Sequence, residues 1–85
     1  MTQKIKILII VDENTTIYTD HVEKVIRAKG YEVAKISAEE LSTNYSRTAL
    51  APSFFIVKNN KAAYMLPGKR EINKIIKWIE DSNLI

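Results

Sequence analysis

The sequence predicts one α/β domain of 85 residues, in which a four-stranded mixed sheet carries helices on both faces. Three observations predict this fold class. A continuous apolar run near the N-terminus is typical of a strand buried on both faces. A helical repeat and then a period-two segment follow it, which is the pattern of a parallel β-α-β unit. Two more apolar segments flank an Asn-Asn pair and precede isoleucines at helical spacing. The expected order over residues 1–85 is β-α-β-α-β-β-α, without a linker or second domain.

The first half of the chain predicts the β-α-β unit. Residues 4–11 form the apolar strand and end in a polar loop that offers several helix N-cap residues. Apolar side chains then recur every three or four positions, which predicts a helix over about 17–29 that stops at Gly30. Residues 31–36 alternate apolar and polar side chains and predict a second strand. Because a helix connects the two strands, we expect them to be parallel, with a right-handed crossover.

The middle of the chain predicts a short second helix. Ser37 precedes Glu40 by three residues, which is the spacing of a capping box, so the helix is expected to begin there. Few apolar side chains are available to pack this helix against the sheet, namely Leu41, Tyr45, Ala49 and Leu50.

The second half of the chain predicts a β-hairpin followed by a helix. Residues 53–57 and 62–66 are expected to form two antiparallel strands joined by a tight turn at Asn59-Asn60. Pro67-Gly68 ends the hairpin. Isoleucines then occur at i, i+3, i+4 and i+7, which predicts an amphipathic helix over about 70–82.

The composition excludes several classes of chemistry. The sequence has no cysteine and one histidine, His21, which excludes disulfides, thiolate metal sites, iron–sulfur clusters and thiol redox chemistry. We therefore expect neither a metal site nor a cofactor. The apolar run at positions 7–11 is too short for a signal peptide or a membrane span, so we expect a cytoplasmic protein that does not bind membranes.

The formal net charge of +3 is concentrated in the last third of the chain. Such a basic segment is either a solvated face or a surface that attracts nucleic acid or an acidic protein. The cations of this segment are Lys58, Lys61, Lys69, Arg70, Lys74 and Lys77.

The element order at this length, together with the segment from Ala51-Pro52 to Gly68, resembles the thioredoxin superfamily in its small, glutaredoxin-sized form. The matching signature is a proline, a strand, a turn, a strand and a glycine. In that family the proline is cis and lies beside the active-site loop. The resemblance therefore implies a thioredoxin-like fold and a cis Ala51–Pro52 bond that faces Thr16.

The same resemblance locates the family's redox motif in this chain. Counting back from Gly30, which is similar to the glycine that closes the family's first helix, places Cys-Pro-Tyr-Cys on Thr16-Ile17-Tyr18-Thr19. Tyr18 matches the third position, whereas Ile17 departs from the proline. A threonine hydroxyl cannot form a disulfide or attack one, so we expect no dithiol oxidoreductase activity and predict that the chain is not an enzyme.

Glutathione binding is not expected either. Where glutaredoxins place a lysine three residues before the first cysteine, this chain has Glu13. Where they place acidic residues after the fourth strand, it has Lys69-Arg70. Because the charges are reversed at both positions, the glutathione carboxylates and amine would meet like charges.

The leading hypothesis is a redox-inactive module that binds another protein, or regulates one, through the former active-site face. In the family, the backbone before the cis-proline pairs with an extended substrate segment. The expected surface consists of Thr16, Ile17, Tyr18, Thr19, Ala51, Pro52 and Gly68.

Two other hypotheses stand beside it. One is an adaptor that binds nucleic acid or an acidic partner through the basic segment, with steep salt dependence. The other is a degenerate receiver domain, because the N-terminal strand followed by Asp12-Glu13 also resembles response regulators. The third strand lacks the phosphate-accepting aspartate at its end, so a functional phosphoacceptor is excluded.

Overall fold

The computed structural model describes residues 5–83, and within that range the order of elements is the predicted one. Lys4, the first residue of the predicted strand, lies outside the described residues, as do positions 1–3 and 84–85 of the predicted domain. The elements are β1 (Lys6–Ile10), α1 (Thr16–Ala28), β2 (Glu32–Ile36), α2 (Ala38–Tyr45), β3 (Ser53–Lys58), β4 (Lys61–Pro67) and α3 (Ile72–Asn83).

The four strands form one mixed sheet in the order β2-β1-β3-β4. β1 is parallel to β2 and antiparallel to β3, and β3 is antiparallel to β4. The two interior strands are buried on both faces, apart from Lys6 and Lys58 at their ends. This burial explains why these two strands appear in the sequence as continuous apolar runs, whereas the edge strands β2 and β4 alternate.

Helices cover both faces of the sheet, as predicted. On one face, α1 and α3 pack against side chains of β1 and β3, with Ile9 and Phe54 at the centre of the larger core. On the other face, α2 contributes Leu41 to a smaller core that contains Phe55. Ile75, Ile76 and Ile79 of the predicted isoleucine stripe are buried in the larger core, and Ile72 packs against it.

The predicted tight turn at Asn59-Asn60 is confirmed. Both asparagines have positive φ values, 53° and 64°, as a two-residue type I′ hairpin requires. Asparagine tolerates this left-handed conformation better than most residues, so the turn connects β3 and β4 without a glycine. A bulge between Ile56 and Val57 then shifts the pairing of the two strands by one residue.

The second helix is shorter than its apolar residues suggested. Ser37 caps it as predicted, because its Oγ accepts a hydrogen bond from the Glu40 N–H at 3.1 Å. The helix ends at Tyr45, since Ser46 adopts the left-handed conformation with φ 55°. The expectation that Ala49 and Leu50 pack the helix against the sheet was therefore wrong: both lie in the following loop. α1 begins one residue earlier than expected, and α3 begins two residues later than expected.

Within residues 5–83 the longest helix is α1, with 13 residues, and no helix combines the length and apolar character needed to cross a bilayer.

A network of charged side chains connects α1 to β2. Glu23 forms ion pairs with Arg27 at 3.0 Å and with Lys35 at 3.4 Å, and Lys35 also pairs with Asp20. Arg27 donates a further hydrogen bond to the Val33 carbonyl at 2.8 Å. The Arg27 guanidinium lowers the pKa of Glu23 below its ordinary value; Lys35 acts in the same direction and desolvation opposes it. The Asp20 carboxylate raises the pKa of Lys35.

The Glu23→Gln variant is expected to be less stable than the parent at neutral pH by about 0.2–1 kcal/mol. Because the folded-state pKa of Glu23 is lowered, its stabilisation is present above the ordinary value of 4.5 and is lost as the pH falls through the lowered pKa. Urea unfolding at pH 7 and at pH 3 measures this dependence. The difference between parent and variant should shrink at pH 3, whereas Glu80→Gln, at an exposed position on α3, should show little difference at either pH. A constant difference for Glu23→Gln contradicts the assignment.

Candidate functional site

One edge of the sheet collects the residues that the sequence singled out. Ile10 at the end of β1 pairs with Ser53 at the start of β3, and Ser53 pairs with Pro67 at the end of β4. The loop before α1, the segment before β3 and the segment after β4 therefore leave the sheet at the same edge. We call this the site edge. It carries the seven residues that were predicted to form a binding surface, namely Thr16, Ile17, Tyr18, Thr19, Ala51, Pro52 and Gly68. Thr19 is buried, so it is not itself accessible to a partner.

The two threonines at the start of α1 occupy different environments. Thr16 is exposed, and its hydroxyl donates to the Asp12 carbonyl at 3.4 Å. Thr19 is buried, with 1% of its surface accessible, and its hydroxyl donates to the Thr15 carbonyl at 2.9 Å. Within the described range, His21 makes no hydrogen bond to either hydroxyl. The arrangement provides no activated hydroxyl nucleophile, because both hydroxyls are bonded to backbone carbonyls rather than to a base.

The loop before α1 folds on itself instead of capping the helix with a side chain. The Asp12 carboxylate accepts from the Asn14 N–H at 2.9 Å, and the Thr15 Oγ1 accepts from the Asp12 N–H at 3.0 Å. Thr15 occupies the N-cap position, but its side chain makes no capping hydrogen bond to the helix. The predicted N-cap residues thus hold the conformation of the loop before Thr16 and Ile17, and their side chains do not cap the first turn of α1.

Tyr18 connects the start of α1 to the segment after β4. Its hydroxyl donates to the Arg70 carbonyl at 2.6 Å and accepts from the Arg70 N–H at 2.9 Å. The ring packs edge-to-face against Phe54, with centroids 6.4 Å apart, and the Lys69 ammonium lies 5.1 Å from the ring centroid. Lys69 and Arg70, which the sequence placed in the basic segment, therefore belong to the site edge as well. Tyr18 and Arg70 are 52 positions apart, so no local pattern in the sequence indicates their contact.

The Tyr18→Phe variant is expected to lose about 0.5–1.5 kcal/mol of unfolding free energy, because removal of the hydroxyl leaves both Arg70 backbone groups without this partner. Urea unfolding followed by circular dichroism measures the loss. Tyr64→Phe is the matched control, since the Tyr64 hydroxyl makes no hydrogen bond within residues 5–83; its stability should stay within about 0.5 kcal/mol of the parent. Equal losses in the two variants contradict a structural role for the Tyr18 hydroxyl.

The predicted cis peptide bond between Ala51 and Pro52 is confirmed. The Pro52 carbonyl accepts a hydrogen bond from the Gly68 N–H at 3.0 Å, and the Ser53 hydroxyl donates to the Leu50 carbonyl at 2.5 Å. Gly68 has φ 81°, a conformation that side chains with a Cβ rarely adopt. These bonds hold the proline segment against the segment that follows β4.

The site edge contains two separate grooves. A groove of about 470 Å³ at the start of α1 is lined by Glu13, Thr16, Ile17, Tyr18, His21 and Lys69. A second groove, of about 380 Å³, is lined by Leu50, Ala51, Pro52, Met65, Pro67 and Gly68. Thr16 and Pro52 line different grooves, and both neighbourhoods contact the segment after β4, through the Tyr18–Arg70 and Pro52–Gly68 hydrogen bonds. That Pro52 faces Thr16 directly stays a prediction.

Exposed apolar side chains concentrate at this edge. In the described part of the chain, the large apolar side chains that are exposed are Ile17 at 89%, Leu50 at 87% and Met65 at 43%. Ile17 lies at the start of α1, Leu50 precedes β3, and Met65 lies two residues before the end of β4. Leu50 and Met65 were not among the predicted site residues, because the motif positions matched in the sequence do not include them.

The basic segment is divided between different parts of the fold. Lys58 and Lys61 pair across the hairpin at the end of the sheet opposite the site edge, where Lys58 also donates to the Ser82 carbonyl at 3.0 Å. β4 has seven residues, so about 20 Å separates this pair from Lys69 and Arg70 at the site edge. Lys74 and Lys77 are exposed on α3. Within residues 5–83, none of the six cations forms an ion pair.

Among the described residues, no group of three or more histidine and carboxylate side chains is arranged to hold a metal ion. No protein-family model matches the chain, and a search of curated proteins found no match.

Proposed function

We propose that the chain is a redox-inactive, thioredoxin-like protein of glutaredoxin size that binds or regulates another protein through the site edge. The order of elements supports the fold. The placement of the Thr16–Thr19 segment and of Ala51-Pro52 at one edge of the sheet supports the position of the former active site.

The observation that carries the proposal is the location of Ile17, Leu50 and Met65. All three are large, apolar and exposed, and all three lie at the site edge. Ile17 lines the first groove, whereas Leu50 and Met65 line the second. Large apolar side chains exposed at both grooves of one edge support an interaction surface, because leaving such side chains in water is unfavourable. The residues that would carry redox chemistry are threonines whose hydroxyls bond to the backbone, so binding is favoured over catalysis.

The backbone of Ala51 supports binding of an extended segment. Within residues 5–83, neither the N–H nor the C=O of Ala51 takes part in a hydrogen bond. An extended peptide can pair with such open backbone groups and place alternate side chains in the flanking grooves. The second groove lies directly beside Ala51 and offers such a place.

Affinity capture from lysate of the source cells, followed by binding measurements with the purified partner, tests the proposal. The variant Ile17→Ser/Leu50→Ser removes exposed side chains without disturbing the core, and we expect at least about tenfold weaker binding. Ala28→Ser, at an exposed position at the other end of α1, is the control and should bind like the parent. Substitutions of Tyr18 and Pro52 extend the test to the rest of the surface. Unchanged binding in all site-edge variants would refute this face as the interface.

A second candidate function is an adaptor for nucleic acid or an acidic partner through the basic segment. Its support is that Lys69, Arg70, Lys74 and Lys77 are exposed and form no ion pair within the described residues. Filter binding to random DNA and RNA at low and high salt tests it, since phosphate contacts weaken steeply with salt. Absence of retention at low salt excludes nucleic acid as the partner.

A further inference from the structure

The second groove at the site edge is apolar and open. Met65 is the cross-strand partner of Phe55, which lies in the smaller core beneath α2. Met65 is nevertheless 43% exposed, on the edge strand β4. Leu50 and Pro52 line the groove together with Met65. The volume of about 380 Å³ is at the lower end of the range for ligand pockets, and it suits one or two apolar side chains rather than a large cofactor.

Two arginines adjoin residues that line this groove: Arg47 precedes Thr48, and Arg70 contacts Pro67. The Arg47 guanidinium is 5.7 Å from the ring centroid of Phe55, whose cross-strand partner on β4 is Met65. Arg70 donates from its Nε to the Pro67 carbonyl at 3.0 Å, which places it where β4 leaves the groove. In the described part of the chain, neither arginine forms an ion pair with a carboxylate.

The stretch of sequence that lines the groove contains no acidic residue. Between Glu40 and Glu71 the sequence has no aspartate or glutamate. Of the five basic residues in this stretch, Lys58 and Lys61 lie at the opposite end of the sheet and Lys69 lines the first groove, which leaves Arg47 and Arg70 beside the second. Every residue that lines the groove comes from this acid-free stretch. The first groove differs, because Glu13 and Lys69 both line it. A lining without acidic residues is thus a property of the groove beside Pro52 and not of the whole edge.

We infer that this groove binds a short acidic segment of a partner protein, with an apolar side chain inserted between Leu50 and Met65 and carboxylates bound by Arg47 and Arg70. Guanidinium groups bind carboxylates with paired, charge-assisted hydrogen bonds, and the open Ala51 backbone can align the segment. The inference rests on the proposed function and adds the chemistry of the partner to it.

Selection from a random 12-residue peptide display library, with the full chain as bait, tests the inference. We expect the selected peptides to carry aspartate or glutamate within three residues of a leucine, isoleucine or phenylalanine. A selected peptide labelled with fluorescein then serves as the probe for anisotropy titrations, and its affinity is expected to fall with rising salt.

Two variants separate the apolar and the charged parts of the groove. Leu50→Ser removes an 87% exposed side chain, and Arg47→Glu reverses one of the two charges. Each variant is expected to bind the labelled peptide at least about tenfold more weakly than the parent. For Arg47→Glu the reason is that it places like charges opposite each other. Lys24→Glu makes the same change of charge at an exposed position on α1 and should leave the affinity within about twofold of the parent.

Other outcomes overturn the inference. If the selected peptides are neutral or basic and bind Leu50→Ser more weakly than the parent, the acidic partner is refuted and the proposed function stays intact. A selection that enriches no peptide refutes the groove as a peptide site, while partner capture by the site edge still decides the proposed function separately. Retention of random RNA or DNA that is lost in Arg47→Glu, without enrichment of acidic peptides, assigns the arginines to nucleic acid instead.

Discussion

The Phe54→Ala variant is expected to lose about 3–5 kcal/mol of unfolding free energy, the cost typical of removing a buried phenylalanine. Phe54 is fully buried in the larger core between the sheet and the helices α1 and α3. Its neighbours in the sheet are Ile9 on β1 and Leu66 on β4, and its ring contacts Tyr18. A domain of this size is stable by about 4–13 kcal/mol, so the expected loss ranges from about a quarter of that stability to all of it.

Chemical unfolding followed by Trp78 fluorescence and by circular dichroism measures this loss, because Trp78 packs against the same core. Ile17→Ala is the matched control: it also truncates a large apolar side chain, but one that is 89% exposed, and it should change stability by no more than about 0.5 kcal/mol. A loss below about 1 kcal/mol for Phe54→Ala would show that the site is not a filled core position.

The fold was largely predictable because its strongest signals are local. The two interior strands are continuous apolar runs, and such runs are typical of strands buried on both faces. The Asn59-Asn60 pair predicted a hairpin turn, since asparagine tolerates positive φ, and both residues adopt it. The stripe of Ile75, Ile76 and Ile79 predicted the buried face of the last helix for a similarly local reason.

The end of α2 was not predictable from a comparable signal. Ser46 stops the helix in the left-handed conformation, where glycine or asparagine is the usual residue. Without such a residue in the sequence, Leu50 was assigned to the helix, although it lies exposed in the following loop. That error hid part of the second groove, because the exposed Leu50 lines it.

The composition of the site was only partly predictable for a different reason. The seven predicted residues come from positions matched to a motif, and the pairing of β1, β3 and β4 places them at one edge. Lys69 and Arg70 join them through Tyr18, and Arg47 lies over the ring of Phe55, the cross-strand partner of Met65. These contacts depend on packing between distant parts of the chain. Because a count of charges along the sequence contains no information on packing, it grouped Lys69 and Arg70 with the other cations as one basic segment.

The double variant Thr16→Cys/Thr19→Cys is expected to gain a reactive thiol pair. The two positions are one helical turn apart, so their side chains lie on the same face of the first turn of α1. The outer position is exposed and the inner one is buried, which gives one accessible thiol and one protected thiol. The positive end of the helix dipole favours a thiolate at position 16, so its pKa is expected to fall at least about one unit below the usual 8.5.

Titration of the thiolate absorbance at 240 nm measures that pKa. Equilibration with oxidised glutathione measures formation of the intramolecular disulfide. In this exchange the two protein thiols are oxidised, and one glutathione disulfide is reduced to two glutathione molecules. Lys77→Cys/Glu80→Cys is the matched control: it has the same spacing at exposed positions in the interior of α3, away from a helix N-terminus. Its thiols should titrate near 8.5, the value for a free cysteine. A double variant at 16 and 19 whose outer thiol titrates at or above 8.5, or which forms no internal disulfide, would remove the support for a former redox site at the start of α1. A lowered pKa together with a reversible disulfide would show that the missing sulfur atoms, rather than the scaffold, separate this chain from a dithiol protein.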